Sequence, residues 1–262
     1  MRTLFCLLTA GLLLLLLTPA LAEDTFTWEE RQDGTVLITA WSGTGDYVTV
    51  PERLGGLPVC GIGDRVFANH SSLTVSLPDG LSVFGADVFG DVFNRVRRVE
   101  CGLDSLTARS LNNVRFYDPA FPDFCLVWRS GELGLLRYEG EPGVINVPDG
   151  VMAILDSCFS APGGDVEVCL PETVIHVSNY AFASSTVSVT VRLPGQISSL
   201  GTLPFGDGGF YRWATVYCAS DSETAALLTC PFRSPDAPSC LLCRTDGALT
   251  LTAVDEGSDA IR

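Results

Sequence analysis

The segment VEVCLPETVIHVSNYAFASSTVSVTVRLP, residues 166–194, holds two copies of one pattern. The residues one, three and five positions before its first proline are Leu170, Val168 and Val166. The same pattern precedes Pro194, 23 residues after Pro171, and a phenylalanine follows each proline by eleven residues, at Phe182 and Phe205. This alternation predicts a strand with one buried face, and proline ends it because proline has no N–H for a ladder.

The pattern recurs outside this segment. Three further tetrapeptides of the same kind end at Pro51, Pro78 and Pro148. Phe89 and Phe159 stand at the expected positions, whereas the insert Gly55-Gly56-Leu57-Pro58 delays Phe67 and is expected at a turn. A fixed short period with apolar residues in phase is typical of a solenoid. We therefore predict a mostly β repeat solenoid with one parallel β-sheet, short turns or 3-10 segments on the return leg, and phenylalanines stacked inside.

Around residues 96–116 the apolar period persists without a proline. We interpret this stretch as degraded coils rather than a different fold.

A second level of repetition lies above the coils. Asp33-Gly34 begins a strand-like opening segment that reaches Pro51, and Ser130-Gly131 begins another that reaches Pro148, each 17 residues after its glycine. Asp246-Gly247 begins a third opening segment whose proline would fall just past residue 262. We expect the chain to be truncated there, or the last opening segment to lead into no coils. The predicted division is a signal peptide at 1–22, the first opening segment with its leucine-rich repeat coils at 23–129, the second opening segment with coils and a capping helix at 130–230, and a linker with an incomplete third opening segment at 231–262.

The end of the second set of coils carries signals for a cap. Residues 215–218 have the pattern of a last strand. Ser222 is expected to N-cap a short helix from Glu223 to Leu228, with the acidic residue in the first turn. The proline-containing stretch 231–239 then has the composition of a linker.

The N-terminus predicts export. Arg2 is followed by an apolar run from Leu4 to Leu17 and by the small-residue site Ala20-Leu21-Ala22. The run is shorter than the roughly 20 residues that a bilayer core needs. We expect a secreted or cell-surface protein with no transmembrane segment in the mature chain.

The composition excludes several functions. The net charge is −15, and all 16 basic residues are arginine because lysine is absent. Nucleic acid and anionic membrane surfaces are therefore not expected as partners. Lysine-based chemistry, such as Schiff bases and P-loop phosphate binding, is excluded as well.

Nine of the ten cysteines remain after removal of the signal peptide. Cys101, Cys158 and Cys60 occupy repeat positions where small apolar residues belong, and we expect them to pack as such. Two disulfide pairings are open in an oxidising compartment, Cys218 with Cys230 and Cys240 with Cys243. A lone CxxC lacks the second half of a zinc ribbon, so no metal site and no cofactor are expected.

These pieces resemble the BspA-type leucine-rich repeats of secreted and surface bacterial proteins. The resemblance rests on the segments 57–67, 143–159 and 174–182 and on the opening segment at Asp33-Gly34, and it covers roughly residues 25–230. It implies leucine-rich-repeat-like stacked coils and roles in adhesion or binding rather than catalysis. No binding residue transfers by motif, because members differ in partner.

The main functional hypothesis is a non-catalytic module that binds an extracellular protein or glycan. By the strand alternation, outward side chains form a ladder, and tyrosine and arginine are the types that anchor interfaces. The candidate partner-binding residues are Tyr47, Thr49, Thr74, Ser76, Arg98, Glu100, Glu167, Thr190, Arg192, Thr215 and Tyr217.

Two alternatives remain. One is a carbohydrate-active enzyme, for which Asp156 and Asp207 are the candidate carboxylates and Cys158 with His176 a remote nucleophile–base pair. His176 is otherwise expected to be a surface residue, and Asp207 to belong to a glycine-rich turn. The other alternative is a structural spacer of a larger surface protein, suggested by the third opening segment.

Overall fold

The computed structural model describes residues 24–91, 96–159, 163–184, 187–207 and 214–255. The predicted signal peptide, residues 1–22, lies outside the described residues. The first half of the chain comprises β1 (Thr25–Glu30), β2 (Val36–Ser42), β3 (Tyr47–Thr49), β4 (Arg53–Leu54), β5 (Leu57–Ile62), β6 (Thr74–Ser76), β7 (Val83–Phe84), β8 (Arg98–Glu100), α1 (Leu106–Ser110) and β9 (Arg115–Asp118).

The second half repeats this order. It comprises β10 (Phe121–Arg129), β11 (Glu132–Tyr138), β12 (Gly143–Asn146), β13 (Ala153–Ile154), β14 (Val166–Cys169), β15 (His176–Val177), β16 (Val189–Arg192), β17 (Ser199–Leu200), β18 (Thr215–Tyr217) and α2 (Glu223–Leu227). The strands β19 (Phe232–Ser234), β20 (Ala237–Thr245) and β21 (Ala248–Val254) follow.

The strands before the prolines pair in parallel, and we call these sets the front ladders. We call the coils of the first half of the chain the first array and those of the second half the second array. The front ladder of the first array consists of β3, β6 and β8, and that of the second consists of β12, β14, β16 and β18. Val166 lies beside Val189, its counterpart one repeat later. The predicted leucine-rich-repeat-like stacked coils with same-direction strands are thus confirmed.

The return leg carries strands as well, which we call the back ladders. They are β5 and β7 in the first array and β13, β15 and β17 in the second. The prediction of a single parallel sheet is therefore wrong, because the front strands and the back strands both pair in parallel from one coil to the next. These strands have two residues each in the second array, too few for an alternating pattern to show in the sequence.

Each array begins with an antiparallel hairpin, β1–β2 or β10–β11, which we call its opening hairpin. The second strand of the hairpin pairs in parallel with the first back strand, β2 with β5 and β11 with β13. Gly55 and Gly56 form the turn of a small extra hairpin between β4 and β5, where both have positive φ. The glycines of the predicted insert thus form a turn as expected, whereas its residues Leu57 and Pro58 begin β5.

The repeat phenylalanines form stacks inside the coils. Ring centroids of Phe159 and Phe182 lie 5.2 Å apart, and those of Phe182 and Phe205 lie 5.8 Å apart. Aromatic residues of the opening hairpins continue each stack, Tyr138 at 5.8 Å from Phe159 and Trp41 at 5.7 Å from Phe67. All five repeat phenylalanines are buried, as predicted: Phe67, Phe89, Phe159, Phe182 and Phe205.

A left-handed residue precedes each of these phenylalanines by two positions, which the sequence did not indicate. These residues are Arg65, Asp87, Ser157, Tyr180 and Leu203, with φ between 46° and 55°. The position before it joins one coil to the next, because Asp156 Oδ1 accepts from Asn179 N at 2.9 Å and Asn179 Oδ1 accepts from Thr202 N at 2.7 Å. Asp and Asn suit such turns because their side chains bond nearby backbone.

Both arrays end in a short helix of the same design. Ser222 caps α2 by accepting from Ala225 N, as predicted, and Ser105 caps α1 in the same way. Thr224 is fully buried and bridges the helix to the last coil, since its Oγ1 accepts from Ile197 N (2.9 Å) and donates to Pro194 O (2.6 Å). Thr107 makes the same two bonds to Leu81 N and Pro78 O.

Two interpretations of the sequence are wrong. The stretch 96–116 forms no complete coil, because β8 is followed there by the cap helix α1 and by the start of β9, whose Tyr117 pairs in parallel with Glu100. The 231–239 stretch is not a linker, because β19 and the start of β20 lie in it. Arg233 pairs with Tyr217, so β19 extends the front ladder rather than leaving it.

The nine described cysteines are thiols. Cys101 and Cys158 are buried as predicted, whereas Cys60 is half-buried with its Sγ 3.3 Å from Val36 O. Cys218 and Cys230 are not joined, and neither are Cys240 and Cys243. The second pair lies within β20, where residues three apart are about 10 Å apart, too far for a disulfide.

Candidate partner-binding face

The outward side chains of the front ladders stand in rows. In β14 the inward Val166 and Val168 are buried, and Glu167 between them faces outward. Pairing aligns Glu167, Thr190 and Thr215 in one row, and it aligns Arg192 with Tyr217 in the next. In the first array, Tyr47, Thr74 and Arg98 form one row and Thr49, Ser76 and Glu100 form the other. The structure thus brings the candidates together as two sets, not as one continuous ladder.

The second opening hairpin causes this division. The first front ladder continues through β9 into the antiparallel strands β10 and β11, and β12 then starts a new ladder. The sequence predicted one ladder because the strand pattern before the prolines is the same on both sides of the hairpin.

Arg98 is the centre of the first set. Its Nε lies 3.0 Å from Glu100 Oε1, and its guanidinium carbon lies 3.8 Å from the centroid of the Tyr117 ring. Its Nη2 also donates to Pro122 O at 2.8 Å, and Tyr47 donates to Glu100 at 3.4 Å. The Arg98 and Glu100 side chains are only 25% and 18% exposed, so the centre of this set is largely closed, whereas Tyr47 at its edge is 50% exposed.

Arg192 is the centre of the second set. Its Nε donates to Glu167 Oε1 at 2.6 Å, and its guanidinium carbon lies 4.7 Å from the centroid of the Tyr217 ring. The hydrogen bond to Glu167 raises the pKa of Arg192. The Arg192 and Glu167 side chains are 49% and 35% exposed, so the centre of this set is more exposed to solvent than that of the first.

The two sets share one chemistry, an arginine held between a glutamate and a tyrosine ring. Each arginine charge is matched by one glutamate charge, which leaves the rows neutral on a chain of net charge −15. A guanidinium stacked on an aromatic ring keeps its position at low entropy cost. The rows therefore offer ordered polar and aromatic groups without a strong field.

The sequence missed four neighbours of these rows. Tyr117 stacks on Arg98, and burial raises the pKa of its phenol. Val144, Asn146 and Cys169 occupy outward positions in the second ladder, and Val144 is 68% exposed. The sequence could have indicated Val144, Asn146 and Cys169, because they alternate with the inward residues Ile145 and Val168. Tyr117 was hidden because the repeat pattern fades before it.

A groove of about 540 Å³ lies beside these outward positions, between the end of the first array and the first front strand of the second. Leu103 and Phe121 line it together with residues 146–149 and 169–171. Its lining includes two carboxyl groups, Asp104 and Asp149.

The residues considered for catalysis are not arranged as a catalytic group. Asp156 Oδ1 accepts from Asn179 N, a bond between coils, and Asp207 is exposed just after Phe205. Cys158 is buried, and burial raises the pKa of its thiol well above the ordinary value. A thiol that stays protonated is a poor nucleophile. Within the described ranges, no three His, Cys, Asp or Glu residues are grouped as metal ligands.

His176 was predicted to be a surface residue, and it is partly exposed on the back ladder. Its Nδ1 lies 2.7 Å from Ser199 Oγ, and its Nε2 lies 3.5 Å from Glu132 Oε1. The backbone N–H groups of Ser198 and Ser199 both donate to Ile175 O, so neither is available to stabilise an oxyanion beside Ser199. Within the described part of the chain, His176, Ser199 and Glu132 thus form a polar chain on the surface whose two nearest backbone amides are already bonded.

No protein-family model and no curated protein matches this chain. Among solved structures, it is similar to a leucine rich cell surface protein of Faecalibacterium prausnitzii, with a TM-score of 0.42 and 19% identity over 86% of this chain and 59% of that one. It is also similar to a leucine rich repeat protein of T. pallidum, with a TM-score of 0.24 and 22% identity over 64% of this chain and 69% of that one. Both scores are below 0.5, so the architecture rests on the strand pairing described above.

Neither described helix is long and apolar enough to cross a bilayer.

Proposed function

We propose that this chain is a secreted or cell-surface binding module of the BspA type, which contacts an extracellular protein or glycan through its front ladders and performs no catalysis. The contact lies mainly on the second front ladder. Its residues are the exposed Tyr47 of the first array and the candidates of the second, which are Glu167, Thr190, Arg192, Thr215 and Tyr217. The resemblance of the repeats to surface proteins and the export signal support the location.

The observation that carries this proposal is the open cluster of Arg192, Glu167 and Tyr217. Tyrosine and arginine dominate the energetic centres of interfaces. Here the arginine is already fixed by its 2.6 Å bond to Glu167 and by the tyrosine ring. A partner that binds it therefore loses little of the conformational entropy that usually opposes association.

Arg98 has a different role in this proposal. Its contacts to Tyr117 of β9 and to Pro122 O of β10 tie the first front ladder to these two strands, and Glu100 pairs with its charge. We assign it to holding the two arrays together at the hairpin, where its substitution lowers stability. Arg98 is therefore a structural position in this proposal, whereas Arg192, Tyr217 and Tyr47 are contact positions.

The experiment is capture of extracellular probes by the exported protein, with host matrix proteins, mucins and a polysaccharide array as the probes. Arg192→Ala, Tyr217→Ala and Tyr47→Ala are expected to weaken capture about tenfold each, which corresponds to roughly 1.4 kcal/mol. Their unfolding midpoints should stay near that of the parent.

Arg137→Ala is the matched control, because Arg137 forms an exposed ion pair with Glu139 outside the front ladders. It should leave capture unchanged. Equal capture by parent and row variants, or no capture of any probe, contradicts the proposal.

A further inference from the structure

The hairpin β20–β21, which forms the third opening segment, reproduces the second opening hairpin in detail. The turns Ser130-Gly131 and Asp246-Gly247 both have positive φ at their two residues. Trp128 pairs with Leu133 in the second hairpin, and Arg244 pairs with Leu249 at the same place, 116 residues later in the chain. Each hairpin also shifts register at the same point, two residues before that pair on the first strand. The two hairpins are therefore equivalent structures.

The second hairpin is covered by the array that follows it. β13 pairs in parallel with β11, and Met152 N donates to Leu133 O at 2.8 Å while Leu155 N donates to Leu135 O at 2.9 Å. Leu133 and Leu135 are fully buried as a result. The outer edge of β11 is thus both hydrogen-bonded and covered by apolar side chains.

The third hairpin lacks this cover. Leu249 and Leu251, the counterparts of Leu133 and Leu135, are 42% and 58% exposed, and every residue of β21 is exposed. Because the register is the same, their carbonyl groups point to the open edge. Among the described residues β21 pairs with β20 alone. An uncovered edge with an apolar side is a ready template for another strand.

The two covered hairpins show what fits against such an edge. Gly134 of β11 faces Leu155, and a Cβ on that glycine would lie 3.2 Å from Leu155 Cδ1. The first opening hairpin reverses the sizes, because Leu37 occupies the place of Gly134 and Gly63 the place of Leu155. A Cβ on Gly63 would lie 3.2 Å from the backbone Ile38 O and 4.0 Å from Leu37 Cδ2. In both arrays, a glycine thus stands on one side of this contact and a leucine on the other.

The third hairpin has Thr250 at this position, and its branched Cβ makes it the larger partner. By analogy with the first array, where Leu37 is the larger residue, we expect the strand that covers Thr250 to be followed by glycine, as at Gly63. The first array presents Gly61-Ile62-Gly63 there, and the second presents Ala153-Ile154-Leu155.

We propose that the outer edge of β21 is a docking site for a further stacked-coil array. The first back strand of that array runs parallel to β21, buries Leu249 and Leu251, and is followed by glycine opposite Thr250. A second copy of this chain does not supply such a strand, because its β5 and β13 already pair with its own opening hairpins.

The test is a chimaera in which residues 42–138 are appended after Val254 of the full chain, so that the coil with Gly63 follows the third hairpin as it follows the first. Hydrogen exchange of the β21 amides should slow at least tenfold relative to the parent. The same chimaera with Gly63→Leu in the appended segment should lose that protection.

Leu249→Ser with Leu251→Ser separates docking from mere tethering. In the parent these substitutions should leave unfolding unchanged, because both side chains are exposed. In the chimaera they should return the β21 amides to the parent exchange rate.

A second graft, residues 139–230 with Leu155→Gly, guards against misfolding of the first. Appended coils that fold without protecting β21, or that remain unfolded in both grafts, overturn the proposal. Protection of β21 in the parent that rises with protein concentration also overturns it, since this would assign the edge to self-association. None of these readouts depends on capture by the front ladders.

Discussion

Replacing Phe182 with alanine tests the shared interior most directly. The ring is fully buried and stacks on Phe159 at 5.2 Å and on Phe205 at 5.8 Å. Burial of a phenylalanine side chain and the cavity left by its removal are together worth about 3–5 kcal/mol. Two lost stacking contacts place the expected cost of Phe182→Ala at the upper end of this range. That is a large part of the roughly 5–15 kcal/mol that stabilises a typical domain.

The assay is urea unfolding combined with hydrogen exchange. Because stacked repeats contact only their neighbours, exchange should accelerate in β14, β16 and β18 and stay slow in β3 and β6. Phe121→Ala is the control, since Phe121 is 37% exposed and meets one ring edge-on at 6.5 Å. It should cost about 1 kcal/mol or less. A cost for Phe182→Ala equal to that of Phe121→Ala would refute the idea of a continuous aromatic stack.

Two further predictions concern the cap and the thiols. Thr224→Val keeps the shape of the side chain but leaves Ile197 N and Pro194 O without their partner, so it should lower the free energy of unfolding by about 1–3 kcal/mol for each group. Thr215→Val, on an exposed position, should change it by less than about 0.5 kcal/mol in the same urea titration. Burial raises the pKa of Cys101 and of Cys230 to about 12. Below pH 9 these thiols are protonated in both states and do not affect stability. Between pH 9 and 12 they ionise only in the unfolded chain, so stability should fall by up to about 1.4 kcal/mol per pH unit for each thiol. A flat urea midpoint across that range would contradict this assignment.

The coil interior could be predicted because its signal is local and repeated. Val166, Val168 and Phe182 each recur one repeat later in an equivalent place, so the sequence indicates both the strand and the residue that fills the coil. The cap helix α2 was predictable from Ser222 and Glu223. Its twin α1 was missed because its first turn has no acidic residue, although the Ser-x-Thr-Ala pattern from Ser105 matches that from Ser222.

Features that depend on contacts between distant residues were harder to foresee. The back strands contain too few residues to alternate, and their pairing follows from stacking. The division of the outward rows arises because β10 joins the end of one ladder by antiparallel pairing, which no residue pattern in the rows encodes. Outward positions themselves follow from alternation. Their exposure does not follow from alternation. Arg98 is covered by contacts to Tyr117 and Pro122, which lie outside the repeat pattern, whereas the Arg192 side chain is 49% exposed.

The opening hairpins give the molecule a direction of assembly. The β10–β11 hairpin pairs residues close in sequence, so it forms without waiting for distant chain, and it lies N-terminal to the coils that stack on it. A chain synthesised from its N-terminus therefore completes each opening hairpin before the first back strand that pairs with it. We expect growth of the folded part to follow the order of translation, so that at each stage the open edge of the last folded strand pairs with the coil that is synthesised next.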